Sequence, residues 1–109
     1  MQVGFCLLQS LLRFLHIKDV DNKILKEARR RKLNFEEAIE EKVFTIIGQG
    51  SIDFPGLFRL LEKNNYSGWM VIEQDVKFGA TVIPSAESVA ASLRYIRGVV
   101  RDLAVAPAR

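Results

Sequence analysis

Between Gly48 and Asp75 the chain runs GQGSIDFPGLFRLLEKNNYSGWMVIEQD, and this stretch constrains the fold more than any other. Phe54, Leu57, Phe58, Leu60 and Leu61 recur at helical spacing after Asp53, a predicted N-cap, and Pro55 stands where a first helical turn tolerates it. The helix ends by Asn64 and Asn65, and Tyr66, Ser67 and Gly68 make a turn. Trp69 to Ile72 is then a short apolar run whose β-branched members suit a strand buried on both faces. A helix feeding such a strand is the repeating unit of an α/β protein. The strand closes on Glu73, Gln74 and Asp75, and the carboxyl ends of parallel strands are where these folds place their chemistry.

A second strand candidate precedes it. In Arg13 to Asp19, RFLHIKD, alternation puts Leu15 and Ile17 on one face and Phe14, His16 and Lys18 on the other. In the later strand, Trp69, Val71, Glu73 and Asp75 share one face, and Met70 and Ile72 share the opposite one. Helices separate the two strands, so a right-handed crossover makes them parallel, with His16 and Glu73 near their carboxyl ends. Neighbouring strands lie about 4.8 Å apart, close enough for an imidazole and a carboxylate to converge on one metal ion. From the residues alone a plainer reading stands beside this one: a hydrogen-bonded core histidine and a solvated glutamate.

The remaining elements follow from capping and periodicity. A helix is predicted from Val3 to Leu12. Another runs from Asp21 or Asn22 to Lys32, with Ile24, Leu25 and Ala28 as a thin apolar stripe and a basic end at Lys26, Arg29, Arg30, Arg31 and Lys32 that offsets the macrodipole. That basic end reads as a solvated helix terminus in preference to a phosphate or nucleic-acid patch. Asn34 and Glu37 form a capping-box pattern ahead of a helix over Phe35 to Lys42. Phe44 to Ser51 is a predicted loop, and its lone GQG lacks the third glycine and the Lys-Ser/Thr of a phosphate loop. After an irregular connection at Val76 to Pro84, Ser85 caps a helix reaching about Leu103, with Val89, Ala90, Leu93, Ile96, Val99 and Val100 on its apolar face. The AVAPAR tail should fray.

Composition narrows the class. At 109 residues, 49% hydrophobic and 27% charged, the chain has the make-up of one globular domain or a piece of a larger one. No apolar run reaches membrane-spanning length, and the opening MQVGFCLLQSLL lacks the basic region and cleavage site of a secretory signal. A single cysteine, Cys6, cannot make an internal disulfide, so a reducing cytoplasm is the expected location and a small buried hydrophobe the expected role. A net charge of +3 and a pI near 9.2 argue against a dedicated nucleic-acid binder.

The strings LHIKDVD at Leu15 to Asp21, KLNFEEAIEEKVFTIIGQGSIDF at Lys32 to Phe54 and YSGWMVIEQD at Tyr66 to Asp75 resemble the last two βα units of xylose isomerase-like TIM barrels, the sugar isomerase and epimerase superfamily. The order of a histidine strand end, a helical insertion, a GxG-x-x-Asp-Phe turn and a Gly-Trp-x-x-x-Glu strand is most similar to its inosose dehydratase branch. The resemblance covers roughly Leu11 to Ile96; Met1 to Gln9 departs from the usual polar lead-in.

The resemblance implies an α/β fold in which residues 1–109 form one partial domain: two parallel strands with flanking helices, an incomplete (β/α)8 barrel. It implies His16 and Glu73 as ligands of a divalent metal (manganese, cobalt, magnesium or zinc), with Glu73 also catalytic and Lys18 and Asp75 contacting substrate oxygens. The implied chemistry removes a proton next to a metal-bound carbonyl of a keto-sugar or inosose, with isomerisation, epimerisation or dehydration as outcomes. A complete barrel needs about 250 residues, and the Glu and Asp ligands of the fifth and sixth strands have no counterpart here. Metal binding and turnover are therefore expected only with the missing barrel units, and alone the chain is expected to self-associate. A non-catalytic remnant is the main alternative; a DNA repair endonuclease of the same superfamily fits poorly, because its site uses many histidines and His16 is the only one.

Overall fold

The computed structural model describes residues 12–75 and 86–105. The predicted helix before Leu12, Cys6, the connection from Val76 to Pro84, the Ser85 cap and the last four residues of the tail lie outside the described residues.

Local chemistry sets the element boundaries. After strand β1 (Phe14–Ile17) and the short β2 (Asp19–Val20), the Asp21 carboxylate accepts from the Lys23 and Ile24 amides at 2.9 and 3.2 Å and opens helix α1 (Asn22–Arg30). Asn34 and Glu37 make both halves of a capping box, at 2.9 and 2.8 Å, and open α2 (Phe35–Glu40). Asp53 accepts from Gly56 at 3.0 Å and opens α3 (Phe54–Lys63), with Pro55 in its first turn. Strand β4 (Trp69–Ile72) and the long helix α4 (Ala86–Val105) complete the order.

Helices α1 and α2 stop two residues short of the predicted ends at Lys32 and Lys42. Both lysines adopt left-handed backbone, φ 55° and 62°, as does Asn65 (54°) after α3. Such a residue terminates a helix by exposing the amide that bonds back to the last turn, here Leu33 to the Ala28 carbonyl and Val43 to that of Ala38. Lysine carries no sequence signal for this conformation, which glycine or asparagine would have advertised.

β1 and β4 are adjacent and parallel, in a register that sets Phe14 opposite Trp69, Leu15 opposite Met70, His16 opposite Val71 and Ile17 opposite Ile72. The predicted parallel pair with flanking helices, part of a TIM barrel and not a closed one, is what the chain forms. α3 and α4 cover one face, where Ile17, Ile47, Phe54, Phe58, Leu61 and Ile96 make the core and Leu15, Met70 and Ile72 pack against it. Burial of Trp69 to Ile72 on both faces is not reached, because nothing among the described residues packs on the opposite face: Phe14 is 60% exposed, Trp69 72% and Val71 37%.

Two further expectations change. Phe44 and Thr45 are not loop but strand β3, pairing antiparallel with β2 so that Asp19 meets Thr45 and Val20 meets Phe44. The chain beyond Lys18 carries free backbone groups, and an aromatic and a β-branched residue supply the matching edge. The apolar face of α4 is also rotated. Ile96 is buried and Val99 packs on the core, but Val89, Leu93 and Val100 are exposed, while Ser92 and Tyr95 turn inward. Ser92 is drawn in because its hydroxyl accepts from the Ile47 amide at 3.1 Å, and Tyr95 meets Phe54 edge-on at 6.4 Å.

Candidate functional site

Four residues named from the sequence converge where β1 and β4 end. The Glu73 amide extends the ladder by donating to the Ile17 carbonyl at 2.9 Å, so the glutamate side chain leaves the sheet on the face that carries His16. His16 Nδ1 lies 3.4 Å from Glu73 Oε2. Lys18 Nζ lies 3.3 Å from Glu73 Oε1 and donates to Asp75 Oδ2. Glu73 therefore presents one oxygen to the imidazole and the other to the ammonium.

Lys18 is the most enclosed cation of the group. Partial burial works against its charge, but hydrogen bonds and charge attraction from Asp75 and Glu73 outweigh that cost and raise its pKa above the ordinary 10.5. The Phe44 ring lies against it, 4.4 Å from the ammonium to the ring centroid, and Phe35 supports that ring at 5.9 Å. An ammonium held this way stays protonated near neutral pH, so it suits a donor to substrate oxygens and not a base.

Residues that the sequence reading did not single out complete the surroundings. Phe44 reaches Lys18 because β2 and β3 pair, a contact hidden by reading that stretch as loop. Asp19, the last residue of the first strand candidate, is fully buried at 0% exposure. Its Oδ1 accepts from the Val20 and Ile52 amides at 2.9 and 3.2 Å, and its Oδ2 from Gly48 and Gly50 at 2.9 and 3.0 Å. This explains GQG without any phosphate. Gly48 has φ 97° and lies under the Tyr95 ring, and a side chain at Gly50 would strike the Asp19 carboxylate. The predicted basic run at the end of α1 is a solvated helix terminus: the Arg30 Nε donates to Glu27 at 2.9 Å and Arg31 reaches Glu41 at 3.2 Å.

Whether His16 and Glu73 fit a metal is a matter of span. A nitrogen and an oxygen each about 2.1 Å from one ion lie about 3.0–3.4 Å apart for octahedral to tetrahedral angles. The observed 3.4 Å falls within that span. Among the described residues no group of three His, Cys, Asp or Glu side chains could hold an ion, so this pair alone would make only part of a ligand set.

A family model described as xylose isomerase-like TIM barrel matches residues 2–99. The chain belongs to that family. Within the xylose isomerase-like family it is similar to proteins named inosose dehydratase. The one from Mesomycoplasma hyopneumoniae (strain 7448) is 39% identical over 76 residues, 67% of this chain and 25% of the relative. Those from Clostridium botulinum (strain Eklund 17B / Type B) and Yersinia enterocolitica serotype O:8 / biotype 1B are each 38% identical over 64 residues, 59% of this chain and 22% of the relative. The chain spans about a quarter of the length of these relatives. No solved structure matches it. No helix among the described residues is long and apolar enough to cross a membrane.

Proposed function

We propose that the chain forms the last two βα units of a cytoplasmic, divalent-metal-dependent enzyme that isomerises, epimerises or dehydrates a keto-sugar or inosose. The observation that carries this reading is the 3.4 Å approach of His16 Nδ1 to Glu73 Oε2, with Lys18 and Asp75 paired beside it. The likeness to proteins named inosose dehydratase supports the choice of substrate class. His16 and Glu73 hold the ion (manganese, cobalt, magnesium or zinc suits a mixed imidazole and carboxylate set), with further ligands from the missing units. Such a metal acts as a Lewis acid on a carbonyl oxygen and so eases loss of the neighbouring proton.

The chain's own residues set the charge around that carbonyl, and the base that takes the proton belongs to the missing units. Glu73 divides its charge between His16 and Lys18, and the ammonium offsets negative charge that develops on substrate. Asp75 accepts from Lys18 and fixes its reach, and Phe44 closes one side against water. Both Lys18 and Asp75 can turn a hydrogen bond toward a substrate hydroxyl. The test is complementation: mixed with a protein comprising the other barrel units, the chain should restore metal content and turnover of a keto-sugar or inosose together. Restored metal binding with no turnover of either substrate would exclude this reading.

The non-catalytic alternative has one observation in its favour, the two-member donor set among the described residues. It requires that His16→Ala and Glu73→Gln leave every measured property of the complemented complex unchanged.

A further inference from the structure

Five successive amides of the 48–52 turn divide into two sets. Gln49 donates to the Ile46 carbonyl at 2.9 Å and Ser51 to the Val20 carbonyl at 2.8 Å, which are ordinary backbone bonds. The alternate amides of Gly48, Gly50 and Ile52 all point inward and end on the two oxygens of Asp19. Val20 adds a fourth donor from the opposite strand. Convergent backbone N–H groups make a concave anion site, and here the anion is supplied by the chain itself.

We propose that the Gly48–Ile52 turn is an oxyanion-binding nest with the Asp19 carboxylate as its built-in occupant, and that shortening Asp19 opens it to a small free carboxylate such as formate. The size of the site supports a carboxylate group of that class. Four donors at 2.9–3.2 Å surround two oxygens, and the carboxylate fills the space so closely that Gly50 admits no side chain. Every donor is a neutral amide with no cation in the set, so a single negative charge is matched without a fixed counter-charge. The site is independent of the His16–Glu73 pair and of any catalytic role for the chain.

The test uses the 109-residue chain and hydrogen exchange read at single amides, which tolerates self-association. In the wild type, Gly48, Gly50 and Ile52 should exchange more slowly than unbonded loop amides. In Asp19→Gly their protection should fall more than about tenfold, the weight of a hydrogen bond to a charged group, while Gln49 and Ser51 lose less. Sodium formate, against sodium chloride at equal ionic strength, should restore protection at the three amides and raise the melting temperature of Asp19→Gly. It should do neither for Asp19→Asn, whose amide fills the same space and turns an N–H toward two N–H donors. Rapid exchange of the three amides in the wild type would overturn the proposal without recourse to any variant. So would an Asp19→Gly protein that formate neither protects nor stabilises, or equal rescue by chloride.

Discussion

Lys18 is the residue on which the cluster's electrostatics turn. Its pKa is raised in the folded chain, so its pairing contributes fully below the unfolded value of about 10.5 and is lost as pH rises through the higher folded value. Lys18→Met should therefore cost on the order of 1 kcal/mol at neutral pH, because Glu73 and Asp75 lose their shared cation. In denaturant unfolding across alkaline pH, that difference should shrink only above pH 10.5. A gap that closed between pH 7 and 9 would show that the ammonium is not held this way. In the complemented complex, Glu73→Gln should remove most turnover while leaving the melt of the chain nearly unchanged. Lys18→Ala should raise KM more than it lowers metal content.

At the scale of elements, the capping residues were the most legible part of the chain. Asp21, Asn34 and Asp53 each accept from the amides that their positions imply. The strand faces were equally legible, because period two separates His16 from Ile17 without regard to what lies around them. Tertiary partners were not. Ser92 enters the core through a bond to an amide 45 residues away, which rotates α4 from the face that apolar spacing selects. Asp19 is likewise defined by donors about 30 residues ahead, so nothing next to it marks it as buried. Of the candidate site, the face and the members His16, Lys18, Glu73 and Asp75 could be read; the Phe44 wall could not, since it depends on a two-residue strand. The helix ends missed at Lys32 and Lys42 lead to a prediction. Lys32→Gly should stabilise the chain by about 0.5–1 kcal/mol in chemical denaturation, because glycine takes left-handed backbone without the Cβ penalty.

At the scale of the molecule, the parallel pair is a small sheet with a covered face and an open one. Among the described residues no strand pairs with the outer edge of β1 or of β4. Two strands are marginal without further partners, and each large side chain left in water forfeits on the order of 2 kcal/mol. The melting temperature of the isolated chain should accordingly rise with protein concentration, whereas the complemented complex should melt more sharply and at higher temperature.

The chain has one tryptophan, and it stands on the open face opposite Phe14. Trp69 is thus an intrinsic optical probe placed where a covering protein would have to sit, on the sheet face turned away from the helical core. Its emission should resemble that of indole in water in the dilute chain and move to shorter wavelength on complementation, with loss of quenching by iodide. The same signal, followed in time after mixing, would report the order in which docking and turnover appear.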